Sequence, residues 1–328
     1  MPAFNFPGRA PRACRASGIG RRYPAGRVAA VSGSIAVTGA RGFVGGHLLA
    51  RLGARAIALD TDVTDADALA QAIAAASAES VVHLAAASSV AASWTDAGEP
   101  WRVNALGTVN LLDAIRSHTP GARVLVVSTG DVYGQADDIP TPETAPFRPT
   151  SPYAASKAAA ELAADQFARA GSDVVVARAF QHEGPGRDER FAVGSWAAQI
   201  ARAEEAGRGT VLVGDLSPRR DITDVRDVVR AYEALLDPSV PAGTYNVASG
   251  RAVAMREVLD MLVSLASCPI EVEEDPSRFR ASEVTVLCGD ASNLRAVTGW
   301  APTIPLEQTL ADALDAARAA VAERMTSA

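Results

Sequence analysis

Short apolar runs rich in β-branched residues alternate along this chain with longer stretches whose apolar positions recur at helical spacing. Ile35–Thr38, Ala56–Leu59, Val81–Leu84, Val124–Ser128 and Val174–Arg178 read as buried parallel strands. Between them, Gly45–Leu52, Ala66–Ala76, Trp101–Arg116 and Tyr153–Ala170 read as helices. Such alternation predicts an α/β fold: a Rossmann-like doubly wound parallel sheet with right-handed crossovers. After about Ala179 the rhythm breaks into loops, short helices and isolated strand-like pieces, which predicts a smaller mixed C-terminal lobe. The larger lobe is expected over 34–179, with segments near 221–250 returning to it, notably Asp221–Leu236 and Gly243–Val247. The smaller lobe takes 180–220 and 251–328.

Residues 1–33 show neither period and are rich in Pro, Gly and Arg, so they are expected to be a disordered basic leader; an Arg-rich transit peptide is the other reading. The leader's first thirty residues hold six arginines and no acid, which leaves 25 basic against 38 acidic residues in the body. So acidic a body repels nucleic acid and anionic membrane. No window is apolar enough for a membrane span. Three widely spaced cysteines (Cys14, Cys268, Cys288) argue against a disulfide scaffold and a zinc site, and point to a cytoplasmic location. One count carries more. Of the 31 basic residues, 30 are Arg and one is Lys157, so that lysine is expected to serve chemistry that Arg cannot.

The first strand runs into TGARGFVG, whose Gly39, Gly42 and Gly45 form a GxxGxxG. Glycines at this spacing let a backbone approach a pyrophosphate at the start of the next helix, and the strand-to-helix context is the one a dinucleotide-binding turn requires. Arg41, Phe43 and Val44 belong to the same loop. Asp60 follows the second strand, 21 residues after Gly39, where an acid accepts from the adenosine ribose and favours NAD. Arg41 favours a 2′-phosphate and hence NADP. Asp60 and Asp62 compete for the ribose and adenine roles, so NAD versus NADP stays open.

Tyr153 and Lys157 stand at i and i+4 on one helix face, near the carboxyl edge of the sheet where ligands bind in such folds. Ser151 suits the N-cap of that helix and Pro152 its first position. An ammonium beside a phenol stabilises the phenolate and lowers a pKa of about 10 toward the working range. Thr129 closes the fourth strand, where it can hold a substrate oxygen beside Tyr153. His83 reads as a packed imidazole and Cys288 as core.

The stretches TGARGFVG, HLAAASSV, VSTGDVYG and SPYAASK resemble the extended short-chain dehydrogenase/reductases that act on nucleotide sugars. Within these the chain is most similar to the branch of GDP-mannose dehydratases and GDP-4-keto-6-deoxymannose reductases. More specific are SSVAASW (88–94), NALGTVNLLDAIR (104–116), RPTSPYAASK (148–157), HEGPG (182–186), RRDITDVRDVV (219–229), RASEV (280–284) and TGWAPTIPLEQTL (298–310). The resemblance implies an NAD(P)-dependent enzyme with Thr129, Tyr153 and Lys157 as its catalytic set. Val63, Leu84, Ala85 and Ala86 would join the glycine loop around the cofactor. Ser88 and Gln181 would face the sugar, Arg220 would clamp its diphosphate, and Arg280 with Glu283 would hold diphosphate and ribose. Trp94 is assigned either to the sugar site or to lobe packing. The family commonly forms a homodimer through a four-helix interface, here the helices at Trp101–Arg116 and Tyr153–Ala170, with Ala158, Ala159, Leu162 and Ala163 on the outer face.

Several positions depart from the family pattern. Asp131 stands where dehydratases of the family carry the Glu that removes the sugar C5 proton, and it is one methylene shorter. Gln181 replaces an Asn, Ala87 a longer polar residue, and RASEV lacks the proline of RPxEV. The leading expectation is a reductase acting on a nucleotide-linked 4-keto-6-deoxyhexose, such as GDP-4-keto-6-deoxy-D-mannose going to GDP-D-rhamnose, with Tyr153 as proton donor. A 4,6-dehydratase or 4-epimerase with Asp131 as base is the alternative. A non-catalytic dinucleotide sensor on the same fold has no use for the Tyr–Lys pair.

Overall fold

A computed structural model describes residues 33–279 and 284–326. Residues 1–32 of the expected leader lie outside the described residues, as do Arg280 and Glu283. In chain order the elements are β1 (Ile35–Thr38), α1 (Phe43–Leu52), β2 (Ala56–Leu59), α2 (Ala66–Ala76), β3 (Ser80–His83), α3 (Val90–Thr95) and the single turn α4 (Gly98–Pro100). A π-helical stretch, Trp101–Leu106, then runs on into α5 (Gly107–His118), followed by β4 (Arg123–Thr129), α6 (Pro152–Arg169), β5 (Val174–Ala179) and β6 (Gln181–Glu183). The remainder comprises α7 (Ala192–Ala206), β7 (Gly209–Val213), β8 (Arg219–Asp224), α8 (Val225–Leu235), β9 (Gly243–Val247), β10 (Ala252–Ala254), α9 (Met255–Ser264), β11 (Ile270–Glu274), β12 (Val286–Leu287), α10 (Ser292–Thr298) and α11 (Leu306–Thr326).

Six strands form one sheet in the order β2-β1-β3-β4-β5-β9, every neighbouring pair parallel. The α/β expectation therefore holds. Helices cover both faces. One buried layer contains Leu48, Val132, Val228 and Leu235; the other contains Leu69, Ile73, Leu111 and Ile115. Burial on both faces is why the strands read as near-continuous apolar runs rather than alternating ones. A third core, with Val193, Trp196, Ile200, Val211, Leu259 and Leu310, lies under the later elements.

Two expectations need correcting. Asp221–Leu236 does not return to the large sheet as a unit. β8 sits in a second sheet, between antiparallel β10 and parallel β12, with β6 also on it. A strand that opens on Arg219-Arg220 suits a sheet whose start stays partly exposed, not an interior covered on both faces. Only α8 and β9 return. Ala158 is the second case: it is buried within the subunit, while Leu162, Trp101, Leu106 and Val109 form the exposed apolar residues of this helix pair.

Candidate active site

A cavity of about 1820 Å³ opens at the carboxyl end of the large sheet. The glycine loop, Asp60, Asp62, Val63, Leu84–Ala86, Ser88, Thr129, Asp131, Tyr153, Lys157, Gln181 and Arg220 all line it. Those from Gly39 to Lys157 converge because β1, β2, β3 and β4 run parallel and end together, and the second sheet brings in Gln181 and Arg220.

At one end lies the β1–α1 turn. Gly39 has φ of +66°, and a Cβ there would stand 2.6 Å from the Ala85 backbone nitrogen, so glycine is required twice over. At Gly45 a Cβ would meet the Gly39 carbonyl at 2.4 Å. The turn lies this close to the Leu84–Ala86 strand end and opens α1 with no side-chain cap and no acidic residue in its first turn. The first N–H groups of the helix therefore face the cavity with the positive end of its dipole, which fits a diphosphate. Arg41 and Asp60, which pulled cofactor preference in opposite directions, form an ion pair with each other. Asp62 turns into its own loop instead, accepting from the backbone (2.9 Å) and hydroxyl (2.8 Å) of Thr64, which hold its carboxyl below the usual range.

Deeper in, α6 starts as its sequence directs: Ser151 Oγ accepts from Ala154 N at 3.1 Å and Pro152 opens the helix. This brings Tyr153 and Lys157 against the end of β4. Thr129 Oγ1 donates to Asp131 Oδ2 at 2.9 Å. Burial pushes the Tyr153 phenol well above its ordinary value; the Asp131 charge pushes the same way, and a hydrogen bond with Thr129 and the charge of Arg187 oppose it. The expected lowering of Tyr153 by Lys157 does not appear among the causes: burial governs the phenol, and Lys157 is turned to the Val127 carbonyl. Lys157 donates to the Val127 carbonyl at 2.8 Å, and its own burial brings it down to about 8 against the charge of Glu161. His83 is a packed imidazole, held by Thr38 at 2.8 Å and Thr108 at 3.0 Å.

On the opposite wall Gln181 donates to Glu183 at 3.0 Å, and Arg220 on β8 donates to the Val284 carbonyl at 2.8 Å. Ser88 and Trp94 are exposed and line the cavity. Sequence reasoning missed Arg187. Its guanidinium lies 4.8 Å from the Phe43 ring and 3.7 Å from that of Phe191, with Nε 3.4 Å from the buried Glu183 carboxylate. His182 stacks on Phe43 at 6.3 Å, and burial holds it down at about 4. The signal available was an Arg directly after HEGPG, in a stretch without regular period.

Fold and site together define an extended short-chain dehydrogenase/reductase, with a glycine loop and helix start of the kind that takes a dinucleotide. A sequence profile of GDP-mannose 4,6 dehydratase matches residues 53–313, and the chain belongs to that family. It is 36% identical over 285 residues to GDP-6-deoxy-D-mannose reductase of Pseudomonas aeruginosa, covering 84% of this chain and 93% of that protein. Similarity extends to GDP-mannose 4,6-dehydratase of Vibrio cholerae, at 28% identity over 76% of either chain. Among solved structures, RMD from Pseudomonas aeruginosa complexed with NADPH superposes with a TM-score of 0.82 at 34% identity, over 88% of this chain and all of that one. The Thermus thermophilus UDP-glucose 4-epimerase complex with NAD gives 0.79 at 28% identity, over 88% and 99%.

Proposed function

We propose that this protein reduces the keto group of a nucleotide-linked 4-keto-6-deoxyhexose, with GDP-4-keto-6-deoxy-D-mannose to GDP-D-rhamnose as the reaction that fits best. A reduced nicotinamide cofactor, NADH or NADPH, supplies the hydride. The glycine loop and the start of α1 hold its diphosphate, and Lys157 its nearer ribose. Arg220, with Arg280 and Glu283, takes the diphosphate and ribose of the sugar nucleotide, while Ser88 and Gln181 face the sugar.

The observation that carries this reading is the arrangement at the end of β4. A proton donor must arrive protonated, as the Tyr153 phenol does at neutral pH, and it must stand beside the group that holds the reacting oxygen, as Tyr153 stands hydrogen-bonded with Thr129. Tyr153 gives that proton to the oxygen of the reduced carbonyl, which Thr129 holds in place, and the Lys157 ammonium steadies the phenolate left behind. Thr129 has one hydroxyl proton and donates it to Asp131 in this structure, so holding the substrate oxygen means turning that proton from Asp131 to the substrate. A dehydratase would need the same carboxylate to remove a C5 proton.

The test mixes purified protein with GDP-4-keto-6-deoxymannose and NADPH or NADH while nicotinamide absorbance is followed. Stoichiometric oxidation supports the reductase. Conversion of GDP-mannose to its 4-keto sugar without net cofactor oxidation would replace it with the dehydratase. We further propose a cytoplasmic homodimer through the exposed Leu162, Trp101, Leu106 and Val109; a monomeric mass in sedimentation would remove that part. Cys268 and Cys288 are both free, as a reducing compartment allows.

A further inference from the structure

Behind the cavity wall, a second set of polar side chains is closed off from solvent. Glu161 stands one turn beyond Lys157 on the same face of α6, and both are buried. Its carboxylate accepts from the hydroxyl of Ser128, the residue before Thr129, and from Arg178 on β5, through Nε at 2.9 Å and Nη2 at 2.8 Å. Arg178 also donates to the Tyr133 hydroxyl at 2.8 Å, and Tyr133 to Asn246 Oδ1 on β9 at 2.7 Å. The chain of bonds therefore links β4, β5, β9, α6 and the turn that carries Asp131.

A buried ion pair is a poor stabiliser compared with apolar packing of the same volume, so fold stability alone is a weak reason for it. Lys157 supplies a better one. Its ammonium is buried with a neutral carbonyl as hydrogen-bond acceptor, and burial favours loss of the proton. A fixed carboxylate one helical turn away opposes that loss. Arg178 meanwhile lies 4.9 Å from the ring centres of Tyr133 and Phe147, and Glu161 is the charge that acts on Lys157.

We propose that Glu161 is a positioning residue for this reaction: clamped by Ser128 and Arg178, it keeps the neighbouring Lys157 ammonium charged and holds the strand end that presents Thr129. This rests on the role given to Lys157 above. The groups that act on the pair are His83 on β3, Arg178 on β5 and Tyr133 on the turn after β4, while Asp131 and Tyr153 line the cavity alongside Lys157. Glu99, Arg102, Asp113 and Arg116, on the other elements packed against α6, are exposed.

Because Lys157 is the chain's single lysine, protein labelled with carbon-13 at lysine Cε gives one side-chain resonance, and its titration reads this group directly. In Glu161→Gln that titration is expected to move to lower pH by about one unit, and the alkaline limb of kcat/KM to move with it. Should Glu161→Gln fail to fold, the wild-type protein decides by the same titration: a Lys157 still charged at neutral pH supports the proposal, and one already neutral there overturns it. A lysine titration that stays at its wild-type position, or moves up, overturns the proposal for Glu161. A titration that moves while the alkaline limb stays takes both residues out of turnover, and with them the role assigned to Lys157.

Discussion

The cavity has two walls of different construction. The wall borne on the large sheet presents Thr129, Tyr153 and Lys157 at no more than 9% exposure, each already engaged with a neighbour. The wall borne on β8 and the segments around it is looser: Arg220 is partly exposed and braced on a backbone carbonyl, and Phe279 is 48% exposed. Preorganisation matters most where charge develops in a reaction. Under the proposed function the sheet wall carries the chemistry, and the lobe wall carries the choice of nucleotide. Substitutions on the first should lower kcat; those on the second should raise KM.

The largest expected effect is on the sheet wall. Tyr153→Phe should lower kcat by about a thousandfold while leaving NADPH binding, read by fluorescence titration, close to wild type. Loss of binding in step with turnover would make Tyr153 a structural residue and erase the contrast.

Next comes stability beneath the same wall. His83 is buried as a neutral ring and its pKa lies at about 3, below the ordinary 6.5. A group depressed on folding takes up its proton first in the unfolded chain. The stability it contributes is thus full above pH 6.5 and is lost as pH falls from there toward 3, a matter of a few kcal/mol. Urea unfolding at stepped pH should show a shallower acid loss in His83→Gln than in wild type; parallel curves would mean that the ring is not the source.

Much of this first wall was legible in the chain, for a physical reason. Strands buried on both faces must be apolar, and a glycine with positive φ against a neighbouring backbone must stay glycine. The Tyr153–Lys157 pair is one helical turn apart, so its shared face follows from local geometry alone. Long-range contacts were not legible. That Ala158 faces inward, that β8 joins the second sheet, and that Arg187 reaches Phe43 depend on which elements meet. The electrostatics of Tyr153 failed for the same reason: spacing announced a lysine one turn away, but not that it donates to the Val127 carbonyl while burial governs the phenol.

On the lobe wall the effects are smaller. Arg220→Ala should raise KM for the sugar nucleotide by about 10- to 100-fold, the worth of a charge-assisted bond to phosphate, with kcat within about threefold of wild type. Initial-rate kinetics separate the two constants. A fall in kcat alone would move Arg220 from binding the nucleotide to aligning the reacting carbon, and the division between the walls would have to be redrawn.

The smallest effect tests the sheet wall where it is as exposed as the lobe wall. Arg41 and Asp60 are paired with side chains 84% and 51% exposed, so each is well solvated and screened. A 2′-phosphate would take Arg41 away from Asp60, whereas a free 2′-hydroxyl would donate to Asp60 and leave the pair intact. Arg41→Ala should therefore weaken NADPH relative to NADH by about fivefold, and Asp60→Ala should shift the ratio the other way. Dissociation constants from nicotinamide fluorescence, measured at low and high salt, check both, and the Arg41 effect should shrink as salt rises. If both variants weaken the two cofactors equally, the pair only shapes the loop. Preference for one cofactor would then have to come from groups other than the pair the sequence singled out.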